Sequence, residues 1–140
     1  MSANDSGASS HRLRDFPVVF LSYDEPWAGR NWRDLLTVFP RAVRVHGVKG
    51  LDACHKAAAG AVPGDWVITV DADTRVEPQL ADAPVPQHLL TGDFRLDWLA
   101  RNRVNGMWSG NGCVKLWPKA LLQEMRTHEA APDGALSLDH

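Results

Sequence analysis

Trp66-Val67-Ile68-Thr69-Val70-Asp71-Ala72-Asp73-Thr74 is the stretch on which the reading of this sequence turns. Its first five residues are apolar or β-branched without polar alternation, the pattern of a strand covered on both faces. The strand runs directly into two aspartates separated by one residue. With 13 Asp in 140 residues, an Asp-x-Asp tripeptide arises by chance about once, so the information lies in its place and not in its occurrence. Two carboxylates at the end of a buried strand cannot both be desolvated and unpaired, because each ion would cost several kcal/mol. Either Asp71 and Asp73 close a loop and face water, or they share a cation. Mg²⁺ or Mn²⁺ held by one or two carboxylates and completed by substrate phosphate oxygens is the recurrent arrangement of the second kind.

Working outward, Pro63-Gly64 stops a helix predicted over Leu51 to Val62, with Leu51, Cys54, Ala58 and Val62 on one face. Val43 to Val48 reads as a strand before it, with Gly50 at the turn. Further upstream, Trp32, Leu35, Leu36 and Phe39 fall at i, i+3, i+4 and i+7 of a helix that Asn31 can cap and Pro40 closes. Pro17-Val18-Val19-Phe20-Leu21 is another short buried strand. Strands alternating with helices at this spacing predict an α/β fold of parallel βαβ units with right-handed crossovers and a mostly parallel sheet. Ligands of such sheets sit beyond the carboxyl ends of the strands. Three polar clusters occupy those ends: Asp24 and Glu25, His46 to Lys49, and Asp71 with Asp73. They should converge on one crevice. Gly50 ahead of a helix lets backbone N–H groups approach an anion and Lys49 adds a point charge, which suits phosphate; a surface lysine beside a turn glycine is the plainer alternative. His55, next to Lys56, reads as a partly exposed helix residue in preference to a ligand.

Beyond Glu77 the pattern weakens. Prolines 78, 84 and 86 make Pro78 to Leu90 a loop or partly mobile segment. Order returns near Phe94 to Arg103, Val114 to Trp117 reads as a strand, and Pro118 opens a helix with Leu121, Leu122 and Met125 inward. The organisation expected is a flexible segment 1–16, one domain over 17–130 and a frayed tail over 131–140. Composition agrees: 44% apolar and 23% charged residues suit a globular chain, and no apolar run approaches the about 20 residues of a membrane span. The net charge of -2 with interspersed signs gives no broad basic surface for nucleic acid, leaving only a local patch open. Cys54 and Cys113 have no Cys-x-x-Cys spacing, and the first sixteen residues lack the apolar stretch of a signal peptide, so a reducing, cytoplasmic setting is expected.

Taken together, Val48-Lys49-Gly50 with its Ala-rich helix, Pro63-Gly64-Asp65 leading into the strand, and the terminal Asp71-Ala72-Asp73-Thr74 resemble the nucleotide-sugar-binding half of GT-A glycosyltransferases of the family 2 type. Phe20-Leu21-Ser22-Tyr23-Asp24-Glu25-Pro26, Arg44 to Gly50, and Asn105-Gly106 to Trp117-Pro118 are also similar to glycosyltransferase-like proteins of tailed phages. The resemblance implies a Rossmann-like three-layer fold that binds a nucleoside diphosphate sugar with Mn²⁺ or Mg²⁺ and passes the sugar to an acceptor hydroxyl on a glycan, a modified DNA base or a small molecule. In that scheme Asp24 would face the base or ribose, Asp71 ribose or sugar, and Asp73 the metal bridging the diphosphate. Trp108-Ser109-Gly110-Asn111-Gly112 stands where the family has its Gly-rich acceptor loop: Gly110 and Gly112 would allow close approach of a sugar beside Asn111, and Trp108 an apolar platform. A tight turn entering a strand is the alternative.

The sequence also departs from the family. A Glu-Asp type catalytic motif and a C-terminal Gln-x-x-Arg-Trp are missing. The local substitute is Thr127-His128-Glu129, where Glu129 could act as base and His128 reach or orient the metal, unless both are frayed polar residues. A nucleotide dehydrogenase is disfavoured because no Gly-x-Gly-x-x-Gly follows the first strand. A sugar-nucleotide pyrophosphorylase would need a Gly-rich, Arg-bearing loop at the same place. The rival of a different class is a non-catalytic nucleotide-sugar or glycan binding module that keeps Asp71 and Asp73 without a working base.

Overall fold

The structure, a computed structural model, describes residues 11–93, 95–101 and 108–124, with side chains of 99–101 and 108–113 left aside. In chain order the elements are β1 (His11–Arg12), β2 (Val18–Ser22), α1 (Ala28–Val38), β3 (Val43–His46), α2 (Leu51–Ala61), β4 (Trp66–Asp71), β5 (Pro84–Val85), β6 (Leu96–Arg101), β7 (Trp108–Pro118) and α3 (Lys119–Gln123). Five strands form one sheet in the order β3-β2-β4-β7-β6, and β1 pairs with β5 in a small separate ribbon.

β2 is buried along its whole length, as its unbroken apolar run requires. Val18 and Phe20 point to one face, where they pack with Leu35 and Phe39 from α1 and its exit and with Ile68 and Val70. Val19 and Leu21 point to the other, against Ala58 and Ala59 of α2, Val67, Trp117 and Leu122 of α3. Helices therefore cover both faces. The cause is topological. The chain steps from β2 outward to β3 and then back across to β4, and right-handed crossovers run in opposite directions must lie on opposite faces.

β2 pairs in parallel with both β3 and β4, whereas β7 runs antiparallel to β4 and to β6. The sheet is thus mixed: β3, β2, β4 and β6 share one direction and β7 runs against them. Among the described residues no α-helix lies between β4 and β6; the long connection after Asp71 carries the chain to the far edge, and β7 then fills the gap in reverse.

Three readings are corrected. Asn31 is not the cap of α1: the helix starts at Ala28, after the Glu25-Pro26-Trp27 turn closed by Ala28 N–H to the Glu25 carbonyl at 3.1 Å. The region from Pro78 to Leu90 is not a featureless loop. Pro78 begins a 3₁₀ turn, Pro84 sits on a two-residue strand where its missing N–H is tolerated, and Ala81 and Val85 are buried. Order also begins before Phe16. β1 pairs with β5, an Arg14–Asp82 ion pair clips the same two segments, and Leu13 is fully buried in the α1-side core.

The β7 strand extends well upstream of Val114, taking in Trp108, Gly110, Asn111 and Gly112, which the sequence placed in a loop. Pairing there is irregular. Trp98 opposes Val114 but Ala100 opposes Ser109, so two steps along β6 answer five along β7. The glycines fall inside this bulge, the usual place for them within a strand.

Candidate functional site

In the strand order, β2 lies between its successor β3 and the later β4, so the direction of winding reverses at β2. A crevice of about 420 Å³ opens at that point. Crevices of this kind collect ligands because strand ends and helix starts face them together. One wall is the end of β2 and its loop (Leu21, Ser22, Tyr23, Glu25), another is the entry and first turns of α2 (Val48 to Leu51, Cys54, His55), and the third is Asp71-Ala72-Asp73.

The first wall is fixed by a polar relay. Ser22, 2% exposed, accepts from Arg44 Nε at 2.9 Å and shares a second hydrogen bond of 2.8 Å with His46 Nδ1. In the loop, Glu25 Oε1 accepts the Tyr23 backbone N–H at 2.7 Å, which turns Glu25 toward the crevice. Asp24 stays exposed outside the lining. Of the two neighbouring acids, then, the fold brings in Glu25.

The second wall begins with Gly50 at φ 95°, a left-handed conformation that favours glycine. A Cβ added there would meet nothing within 4 Å, so conformation alone demands the glycine and the space beside it is open. Lys49 and Gly50 both line the crevice as the sequence suggested. His55 differs from its reading. It is buried, because the apolar stripe of α2 runs through residues 55, 58, 59 and 62 instead of 51, 54, 58 and 62. Leu51 is correspondingly exposed. The i, i+3, i+4, i+7 spacing of His55, Ala58, Ala59 and Val62 was the signal available in the sequence.

The third wall is bolted to α1. Asn31, buried inside that helix, donates from Nδ2 to the Ala72 carbonyl at 2.9 Å, while Thr74 N–H closes a turn onto the Asp71 carbonyl at 3.0 Å. Arg75 reaches Asp34 one turn along α1 at 3.4 Å. Asn31 Oδ1 and Thr74 Oγ1 are both buried without a hydrogen-bond partner among the described residues. Asp71 and Asp73 line the same hollow, and neither forms an ion pair among the described residues.

The electrostatics follow from this crowding. Burial pushes the Asp71 carboxyl up from 3.8 to about 6; Lys115 opposes the rise, and Asp73 and Glu25 add to it. Burial also raises the Cys54 thiol, with Asp71 and Glu25 pushing the same way, which keeps it a thiol and not a reactive thiolate. Burial at Asp71 thus outweighs the pull of Lys115. Among the described residues no group of three or more His, Cys, Asp or Glu is arranged to hold a metal alone. Asp71 and Asp73 could supply two oxygen ligands, the rest coming from a substrate or water.

Trp108, Gly110, Asn111 and Gly112 lie on β7, their side chains undescribed, and His128 and Glu129 fall outside the described residues. Among the described residues no helix is long and apolar enough to cross a membrane. No protein-family model matches the chain, and neither curated proteins nor solved structures give a match.

Proposed function

We propose that the crevice binds a nucleoside diphosphate sugar with Mg²⁺ or Mn²⁺ and that the chain, as a GT-A type glycosyltransferase, passes the sugar to an acceptor hydroxyl. The observation that carries this reading is the meeting of Asp71 and Asp73, ion-paired to no described residue, with Lys49 and the Gly50-led helix at one switch-point crevice. Asp71 bears an ionisation penalty that a bound cation would relieve, so the donor set fits a hard divalent ion. When bound, such an ion neutralises charge developing on the departing diphosphate.

This chain's own groups divide the remaining work. Lys49 and the backbone N–H groups at the start of α2 face the phosphates. Ser22, Tyr23 and Glu25 offer hydrogen bonds to base or ribose. In the transfer, an acceptor hydroxyl oxygen bonds to the anomeric carbon, the carbon–oxygen bond to the diphosphate breaks, and the hydroxyl proton passes to a base, for which Glu129 is the local substitute in place of the family's missing motif, with His128 to reach or orient the metal.

Incubation with UDP-, GDP- and dTDP-sugars plus Mn²⁺ should release nucleoside diphosphate. Binding without release would mark a binding module, and no binding would end the reading. Asp73→Asn should abolish metal-dependent binding in calorimetry while the thermal transition stays in place; unchanged affinity would remove Asp73 from the site.

A further inference from the structure

Helix α2 puts one side chain into the crevice that the transfer scheme leaves unused. His55 is 5% exposed and lines the hollow with Cys54 and Asp71. Its Nδ1 lies 2.9 Å from the Leu51 carbonyl oxygen, which can only accept, so Nδ1 carries the proton. The neutral ring is then left with a bare Nε2, to which no described residue donates. The ring cannot easily swing away, because it stands edge-to-face against Trp117 with centroids 5.7 Å apart. Trp117 is itself pinned by its indole N–H to Thr69 Oγ1 at 2.9 Å. Burial favours the uncharged imidazole; Lys115 and Arg95 act in the same direction, the Leu51 bond and Asp52 against it.

We propose that His55 is a ligand-binding residue whose bare Nε2 accepts a hydrogen bond from a sugar or ribose hydroxyl of the bound molecule. The inference rests on the crevice being the nucleotide-sugar site. The charged groups there that the scheme gives to phosphate and metal, Lys49, Asp71 and Asp73, do not discriminate between sugars. A neutral acceptor at the crevice wall discriminates, since a ligand that covers it without offering the matching hydroxyl leaves Nε2 buried and unpaired.

The first test needs no ligand. A long-range ¹H–¹⁵N spectrum of ¹⁵N-histidine protein at pH 7 should show His55 protonated on Nδ1, and protonation on Nε2 overturns the inference. In the second, His55→Asn keeps an N–H directed at the Leu51 carbonyl but deletes Nε2, while His55→Gln returns an acceptor near the Nε2 position. Against UDP-glucose, GDP-mannose and dTDP-glucose with Mg²⁺, His55→Asn should bind at least about 10-fold more weakly than the parent, with much of the loss recovered in His55→Gln. The same measurement with UDP alone assigns the hydroxyl to ribose if the loss persists and to hexose if it vanishes. Should His55→Asn fail to fold, the parent's Nε2 resonance decides: it moves on titration, or the inference falls. Parent binding with an indifferent His55→Asn defeats this inference alone. Failure of the parent to bind any of the sugars defeats the transferase reading and this inference with it.

Discussion

Replacing Asp71 by Asn should stabilise the fold, and by an amount that depends on pH in a defined way. At about pH 3 and below, the Asp71 carboxyl is almost wholly protonated in folded and unfolded chains alike and contributes no difference. As pH rises, the unfolded chain ionises first, near 3.8, while the folded carboxyl holds its proton to about 6. Stability is therefore lost between those values, and the full deficit persists above them. The interval corresponds to about 3 kcal/mol, and because part of the residue still touches water we expect about 1–3 kcal/mol. At roughly 3 °C per kcal/mol for a chain of this length, Asp71→Asn should melt about 3–9 °C above the parent at pH 8. At pH 3 the gain should vanish. Scanning calorimetry of both proteins from pH 3 to 8 measures the difference directly. A constant difference across that range, or a less stable Asn variant at pH 8, would refute the idea that Asp71 is held ionised against its surroundings. A site that keeps such a cost is one in which the charge has a use.

Two other outcomes follow from the packing. Leu13→Ala should destabilise by about 2–5 kcal/mol in urea melts, since Leu13 is fully buried under the β1–β5 ribbon; a surface-like loss under about 0.5 kcal/mol would show that the segment before Phe16 is not part of the fold. Asn31→Leu removes the bond to the Ala72 carbonyl and should cost about 1–2 kcal/mol, with a severalfold drop in nucleotide-sugar affinity by calorimetry; unchanged affinity would mean that the Asp71–Asp73 turn holds its shape without α1.

Much of this was legible because it is local. The buried strands announced themselves as unbroken apolar runs, and the crossover helices by their periods and by the Pro and Gly that end them. Lys49, Gly50, Asp71 and Asp73 could be placed at one crevice because helix and strand ends in a βαβ unit have little choice of where to lie. The misreadings share another character. Glu25, and not its neighbour Asp24, enters the crevice because of one hydrogen bond to the Tyr23 backbone. Asn31 looked like a cap, yet its amide spans 41 positions to Ala72.

The sequence by itself determined the covalent order of buried strands, amphipathic helices and polar strand ends, and hence that a polar crevice would exist. Tertiary structure alone decided that β7 runs against the rest of the sheet, that Leu13 is interior, and that His55 is buried at the wall of the crevice. The physical reason is range: a backbone period fixes which residues share a face, but burial and ionisation depend on what packs against that face. Here Trp117 arrives from far along the chain to cover His55, and Lys115 to act on the charge of Asp71.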